Sequence, residues 1–171
     1  MQSIAVLLRA VYTRAVSFLN LLQNPLLLFI RVYWGIQLAD TGWGKLHNIG
    51  KVTEFFTSLN LPAPHATAVF VGLLEFAGGI LLAIGLGSRL VSLAVFINMT
   101  VAYWASDREA FLGIFSAPDK FYGADPFIFW FTALLILVFG PGVLALDWFF
   151  SRLVNPIESA RKQSFGVANG H

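Results

Sequence analysis

Residues 72–89 read GLLEFAGGILLAIGLGSR. Nearly every position is apolar or small, as in a helix that crosses a bilayer, and the run closes on Gly85, Gly87 and Arg89, a turn with a basic residue after it. One carboxylate, Glu75, lies inside it. An acidic side chain at membrane depth costs at least ~2.5–3.5 kcal/mol on insertion scales, and such residues face a bundle interior with a partner. The stretch therefore calls for a helical bundle and for a cation that meets Glu75.

Composition agrees. Of 171 residues, 57% are hydrophobic and 12% charged, whereas a soluble domain carries about a quarter charged residues. The mean hydropathy is +0.74. The chain reads as an all-α integral membrane protein with the lipid bilayer as its first partner. The pI of about 9.2 rests on a net charge of only +2 and gives no reason to expect nucleic acid. There is no cysteine, which excludes disulfide exchange, thiolate metal ligation and CxxC redox chemistry.

Working outward, four spans are expected. The first starts at Asn24-Pro25, a cap with proline at the first helical position, and ends near Gly44. The second covers about 66–86 and the third about 89–105. The fourth begins at Asp125-Pro126 and meets Gly140-Pro141-Gly142, which stops it short or kinks it before VLAL. Ahead of them, Ile4, Leu8, Val11, Ala15, Phe18 and Leu22 form one stripe, with Gln2, Arg9, Thr13, Ser17 and Asn20 opposite, the pattern of an interfacial amphipathic helix. The organisation expected is thus an interfacial helix over 1–24, a four-helix bundle over 25–154 and a flexible cytoplasmic tail over 155–171. Two loops carry short helical signals: KVTEFFTSL (51–59), and SDREAFLGIF (106–115) with a Ser106-x-x-Glu109 capping box. Both termini and the 85–89 turn hold Arg9, Arg14, Arg89, Arg152, Arg161 and Lys162, against Lys45, Lys51, Arg108 and Lys120 in the two loops. That bias places both termini in the cytoplasm.

Within the spans the charged residues are Arg31, Asp40 and Glu75, accompanied by Gln37 and Asn98. Helical rise puts Arg31 about 9 Å into the first span and Glu75 about 16 Å from the end of the second, within reach of a guanidinium. An Arg31–Glu75 pair is the expected buried polar centre. Arg31, Trp34, Gly35, Leu38 and Gly42 share one face; Ala68, Gly72, Glu75, Gly79 and Leu82 share another, and small residues there permit close approach of the backbones. The bland role of the pair is to lock helix register; the sharper one is binding or proton handling. Asp40, about a turn from the outer end, is solvated or paired with Lys45. His47 and His65 on the outer loops do not amount to a metal site, and no nucleophile motif, phosphate loop or dinucleotide fingerprint is present.

The ordered motifs carry a resemblance. Arg31-x-x-x-Gly35, Gly42-x-x-Lys45-Leu46, Glu75-x-x-Gly78-Gly79, Gly85-Leu-x-Ser-Arg89, Asn98-Met99-x-x-Ala102 and Phe139-Gly-Pro-Gly-x-x-x-Leu-Asp147 together resemble the DoxX family of four-helix bacterial membrane proteins. The chain departs at Ala145-Leu146-Asp147, where a serine is expected before Leu-Asp. The resemblance implies a multi-pass protein of the bacterial inner membrane. Relatives are described as small subunits of thiosulfate:quinone oxidoreductase or as anchors for redox and thiol-stress enzymes, and some look-alikes accompany peptide-modifying enzymes. A more distant similarity is to vitamin K epoxide reductase, whose cysteines are absent here.

The leading functional expectation is a membrane subunit of a redox system that meets the quinone pool. No covalently bound cofactor is expected, and quinone is the ligand to test. Trp34, Gln37, Asp40 and Asn98 are then candidate ligand-binding residues around Arg31 and Glu75, since a quinone site needs hydrogen-bond donors and a proton route in an apolar pocket. The alternatives are a non-catalytic anchor that recruits a protein partner or forms a homo-oligomer, and a small transporter or lipid-handling protein.

Overall fold

The computed structural model describes residues 2–150 and residue 152; the expected tail over 155–171 lies outside them. The chain is all-helical among the described residues, with α1 (Gln2–His47), α2 (Ile49–Ser58), α3 (Pro64–Ile84), α4 (Ser88–Ser106), α5 (Arg108–Leu112), α6 (Pro118–Gly123) and α7 (Phe127–Phe139). Of these, α1, α3 and α4 are long and apolar enough to cross a membrane; α7 is a shorter apolar helix of 13 residues.

The N-terminal region differs from expectation. No separate interfacial helix forms: α1 is one helix of 46 residues with Pro25 inside it, about 69 Å long against a hydrocarbon core of about 30 Å. Proline removes one i→i−4 bond, which a membrane helix tolerates, and the leucine-rich flanks (LNLLQNPLLL) favour helix on both sides. Asn24 does not act as a helix cap; its side-chain oxygen accepts a hydrogen bond from the Val143 backbone at 3.2 Å. Tyr12, Leu19 and Leu21 carry exposed apolar surface beyond the expected stripe, so this half of α1 is not clearly amphipathic.

The bundle is made by α1, α3, α4 and α7. Glycine sets the α1–α3 crossing. A methyl on Gly42 would fall on the backbone nitrogen of Phe76 and the carbonyl oxygen of Gly72; one on Gly79 would fall on the backbone of Ala39 and Gly35. The helices are in backbone contact, and the buried face of α3 (Ala68, Gly72, Glu75, Gly78, Gly79, Leu82) is the expected one with Gly78 added. Gly42→Ala and Gly79→Ala should each destabilise the fold by about 1–3 kcal/mol through overpacking. Gly44→Ala and Gly50→Ala, where a methyl meets nothing within 4 Å, should lose no stability. Unfolding midpoints in detergent test both pairs.

All four bundle helices meet in the core. Leu38, Leu82, Val95, Met99, Ala133 and Ile136 form it, with Phe96, Phe129 and Trp130 packed against them. Trp130 donates to Thr100 Oγ1 at 3.0 Å, and Tyr103 donates to the Phe121 carbonyl at 2.6 Å while stacking on the Phe121 ring. The α3–α4 turn closes on Gly85 (φ +77°) and Gly87 (φ +61°), left-handed positions that suit glycine. At the other end of the bundle lie α2, packed on α3, and α5 and α6. The expected capping box does not form: α4 continues to Ser106, whose hydroxyl lies within hydrogen-bond distance of both the Ala102 carbonyl and the Asp107 carboxylate and has one hydrogen to give to either.

Candidate functional site

The buried charges form two centres at opposite ends of the bundle, where the sequence suggested one. At the turn end, Arg31 is 1% exposed and donates to the carbonyls of Pro141 at 2.7 Å and Leu144 at 2.6 Å. Those carbonyls are free because Gly140 ends α7 at φ +80° and the chain loops through 140–145 before turning helical again at 146. Asp147, just beyond the loop, accepts from the backbone nitrogens of Gly87 at 2.7 Å and Ser88 at 2.8 Å, and its own nitrogen donates to the Gly85 carbonyl. It therefore caps α4 from another part of the chain, a role that Gly87 at the N-cap lacks the side chain to play. A methyl on Gly85 would strike the Arg31 guanidinium. Turn, loop and α1 are one interlocked joint.

Burial raises the affinity of Asp147 for a proton, but the Ser88 and Gly87 amides and the charge of Arg31 outweigh it and hold the carboxyl below its usual range. A depressed folded-state pKa gives stability that is complete above the unfolded value, about 4, and is lost as pH falls through the folded value. Stability measured in detergent should fall on the acid side of pH 4, and Asp147→Asn should be less stable at neutral pH while losing that part of the acid dependence.

At the loop end, Glu75 is 1% exposed. Its cation is Lys45: the ammonium donates to both carboxylate oxygens, at 2.5 and 2.6 Å. Asn98 donates to Oε1 at 3.3 Å. The expected Arg31–Glu75 pair does not form. The reason is reach and competition: Lys45, near the end of α1, extends down the bundle to Glu75, while Arg31 is held by the 141–144 carbonyls. Lys45 continues the face of Arg31, Gly35, Leu38 and Gly42, the sequence signal by which it could have been found.

This second centre opens into a cavity of about 670 Å³. Lys45, Glu75, Asn98 and Met99 line its inner part; Val52, Phe55, Phe56 and Leu59 of α2 line another wall; Lys51, Asp107 and Asp125 also border it. Of the other candidate residues, Gln37 and Asp40 lie on the exposed face of α1. Trp34 is half-buried, edge-on to Phe129 and Tyr33, and is not among the cavity residues. The His47 ring packs at a tilt against Trp43 and His65 is exposed; among the described residues no cluster of three histidine or acidic side chains could hold a metal.

A bundle of apolar helices, with paired charges inside and a cavity reaching the inner pair, defines a multi-pass helical membrane protein. Residues 26–108 match the DoxX family model, and that segment is similar to the DoxX family. The match takes in Arg31, Lys45, Glu75 and Asn98 and stops before the 140–147 loop that completes the Arg31 joint. No curated protein and no solved structure matches the chain.

Proposed function

We propose that the chain is a small membrane subunit of a redox system and that its cavity binds the headgroup of a quinone. The observation that carries this reading is the cavity that ends on Lys45, Glu75 and Asn98. Its volume falls within the range of small-molecule sites, roughly 300–1,000 Å³, and an apolar wall with few convergent polar groups is the usual composition of such sites. Two of the three ammonium hydrogens of Lys45 serve Glu75, leaving one donor for a ligand carbonyl. Because the lysine and glutamate charges offset each other, the inner end of the cavity suits a neutral polar headgroup. A quinone bound there takes up two electrons and two protons; Glu75 would pass protons, and Lys45 and Asn98 would orient the headgroup. The electrons come from a partner protein.

The test combines binding with electron flow. A short-chain quinone should raise the unfolding midpoint of the purified protein in nanodiscs, as any ligand of the folded state does, and Ala102→Trp, which fills the cavity, should remove that rise. In membranes of the producing cells, Glu75→Gln should keep the fold and its partners but stop electron flow to quinone. If Glu75→Gln leaves that flow unchanged, or only lowers stability, the redox reading is wrong.

A second reading has its own support. Leu8, Phe18, Leu19, Leu21 and Leu22 on the outer half of α1 are all exposed. A non-catalytic anchor would use this half to hold a partner enzyme or a second copy. Removal of residues 1–23 should then release the partner while leaving the quinone-dependent midpoint shift intact.

A further inference from the structure

We infer that the Lys45–Glu75–Asn98 centre communicates with one face of the membrane only, the face that carries α2, α5 and α6. The ligand headgroup and its protons then enter and leave on that side. The inference rests on the cavity of the proposed binding site but not on the identity of its occupant.

The lining residues occupy one half of the bundle. On α1 they are Thr41 and Lys45, in its last turns; on α3 they are Thr67, Val71 and Glu75, from its first half; on α4 none precedes Asn98. Helical rise puts the floor about 16 Å from the start of α3 and about 12 Å from the end of α4. Lys51, Asp107 and Asp125, on or beside the loop helices, give the other end of the cavity charged groups that hold water.

The opposite half is closed twice over. Immediately beyond the floor lies the core of Leu38, Leu82, Val95, Met99, Ala133 and Ile136, each at most 4% exposed. There the backbones of α1 and α3 touch at Gly35 and Gly79, leaving no room for a file of water between them. Past the core, Arg31, the 141–144 loop and the Asp147-capped turn shut the end. The terminal nitrogens of Arg31 and the Asp147 carboxylate are taken up within that joint; Arg31 Nε and the Ser88 and Ser92 hydroxyls are buried without a partner, and the apolar core separates them from Glu75.

The absence of cysteine makes the inference directly testable with single-cysteine variants of the full chain in sealed vesicles of each orientation. Phe115→Cys, at a position 96% exposed on the loop side, reports which face a membrane-impermeant, charged thiol reagent reaches. Ala102→Cys and Asn98→Cys should label from the face that labels Phe115→Cys and from no other. Ser92→Cys, a near-isosteric change at a fully buried position between the core and the turn, should label from neither face until the protein is unfolded. Ala102→Cys keeps the test valid if Asn98→Cys fails to fold. Labelling of Ala102→Cys or Asn98→Cys from the opposite face or from both would overturn the inference. So would labelling of folded Ser92→Cys, or failure of Ala102→Cys to label from either face. The quinone reading stands or falls separately, on the midpoint shift.

Discussion

Arg31→Met should destabilise the fold by about 3–5 kcal/mol, the range for removing one partner from a buried charged network. The guanidinium holds the 140–145 loop to α1 through two hydrogen bonds, to Pro141 and Leu144, beside the single bond from Val143 to Asn24. Methionine fills most of the volume but leaves the Pro141 and Leu144 carbonyls without their donor, a loss of about 1.5–3 kcal/mol for hydrogen bonds to a charged group, and removes the charge that faces Asp147. Arg31→Lys should recover only part of the loss, because a point-like ammonium cannot reproduce a planar fork aimed at two carbonyls. Denaturant unfolding in detergent, followed by helix content, gives the midpoints. Near-wild-type stability of Arg31→Met would show that the joint does not hold the bundle.

Lys45→Met should be almost as damaging, again about 3–5 kcal/mol, and markedly worse than Glu75→Gln. The asymmetry follows from exposure. The Lys45 side chain is 29% exposed and that of Glu75 only 2%. When glutamine replaces Glu75, the lysine can turn into the cavity and find water, so the loss is nearer that of a hydrogen bond to a charged group, roughly 1.5–3 kcal/mol. When methionine replaces Lys45, the carboxylate, only 2% exposed, keeps Asn98 as its protein partner and water reaches it only down the cavity. Lys45→Met combined with Glu75→Gln should be more stable than Lys45→Met alone. Equal losses from the two single changes would contradict the exposure argument.

Much of this arrangement is legible in the sequence. Composition and the glycine-punctuated run at 72–89 define the membrane helices, and the 3.6-residue period identifies the packed face of α3 except for Gly78. The buried positions Arg31 and Glu75 stand out because charge is costly in the bilayer. Their partners do not, because a partner depends on how far a side chain reaches along the bundle and on which backbone carbonyls a distant loop leaves free. Lys45 looked like an interfacial residue from its place near the end of α1, yet its four-carbon stem carries the ammonium inward. Asp147 stood in a recognisable motif, but its capping of α4 appears only when residues 60 positions away are brought together. The continuous α1 shows a local signal overridden: Asn24-Pro25 is a proper helix start, and leucine-rich sequence on both sides carries the helix through it.

The central claim is that the buried charges form two separate centres. Double-mutant cycles measure it most directly, with Lys45→Met and Glu75→Gln in one cycle and Arg31→Met and Glu75→Gln in the other. Contacting residues couple by about 0.5–3 kcal/mol, whereas distant ones add within about 0.3–0.5 kcal/mol. The Lys45–Glu75 cycle should give a coupling above about 1 kcal/mol, and the Arg31–Glu75 cycle should be additive. A strong Arg31–Glu75 coupling together with an additive Lys45–Glu75 cycle would contradict the two-centre arrangement and return Glu75 to the partner that helical depth alone first suggested.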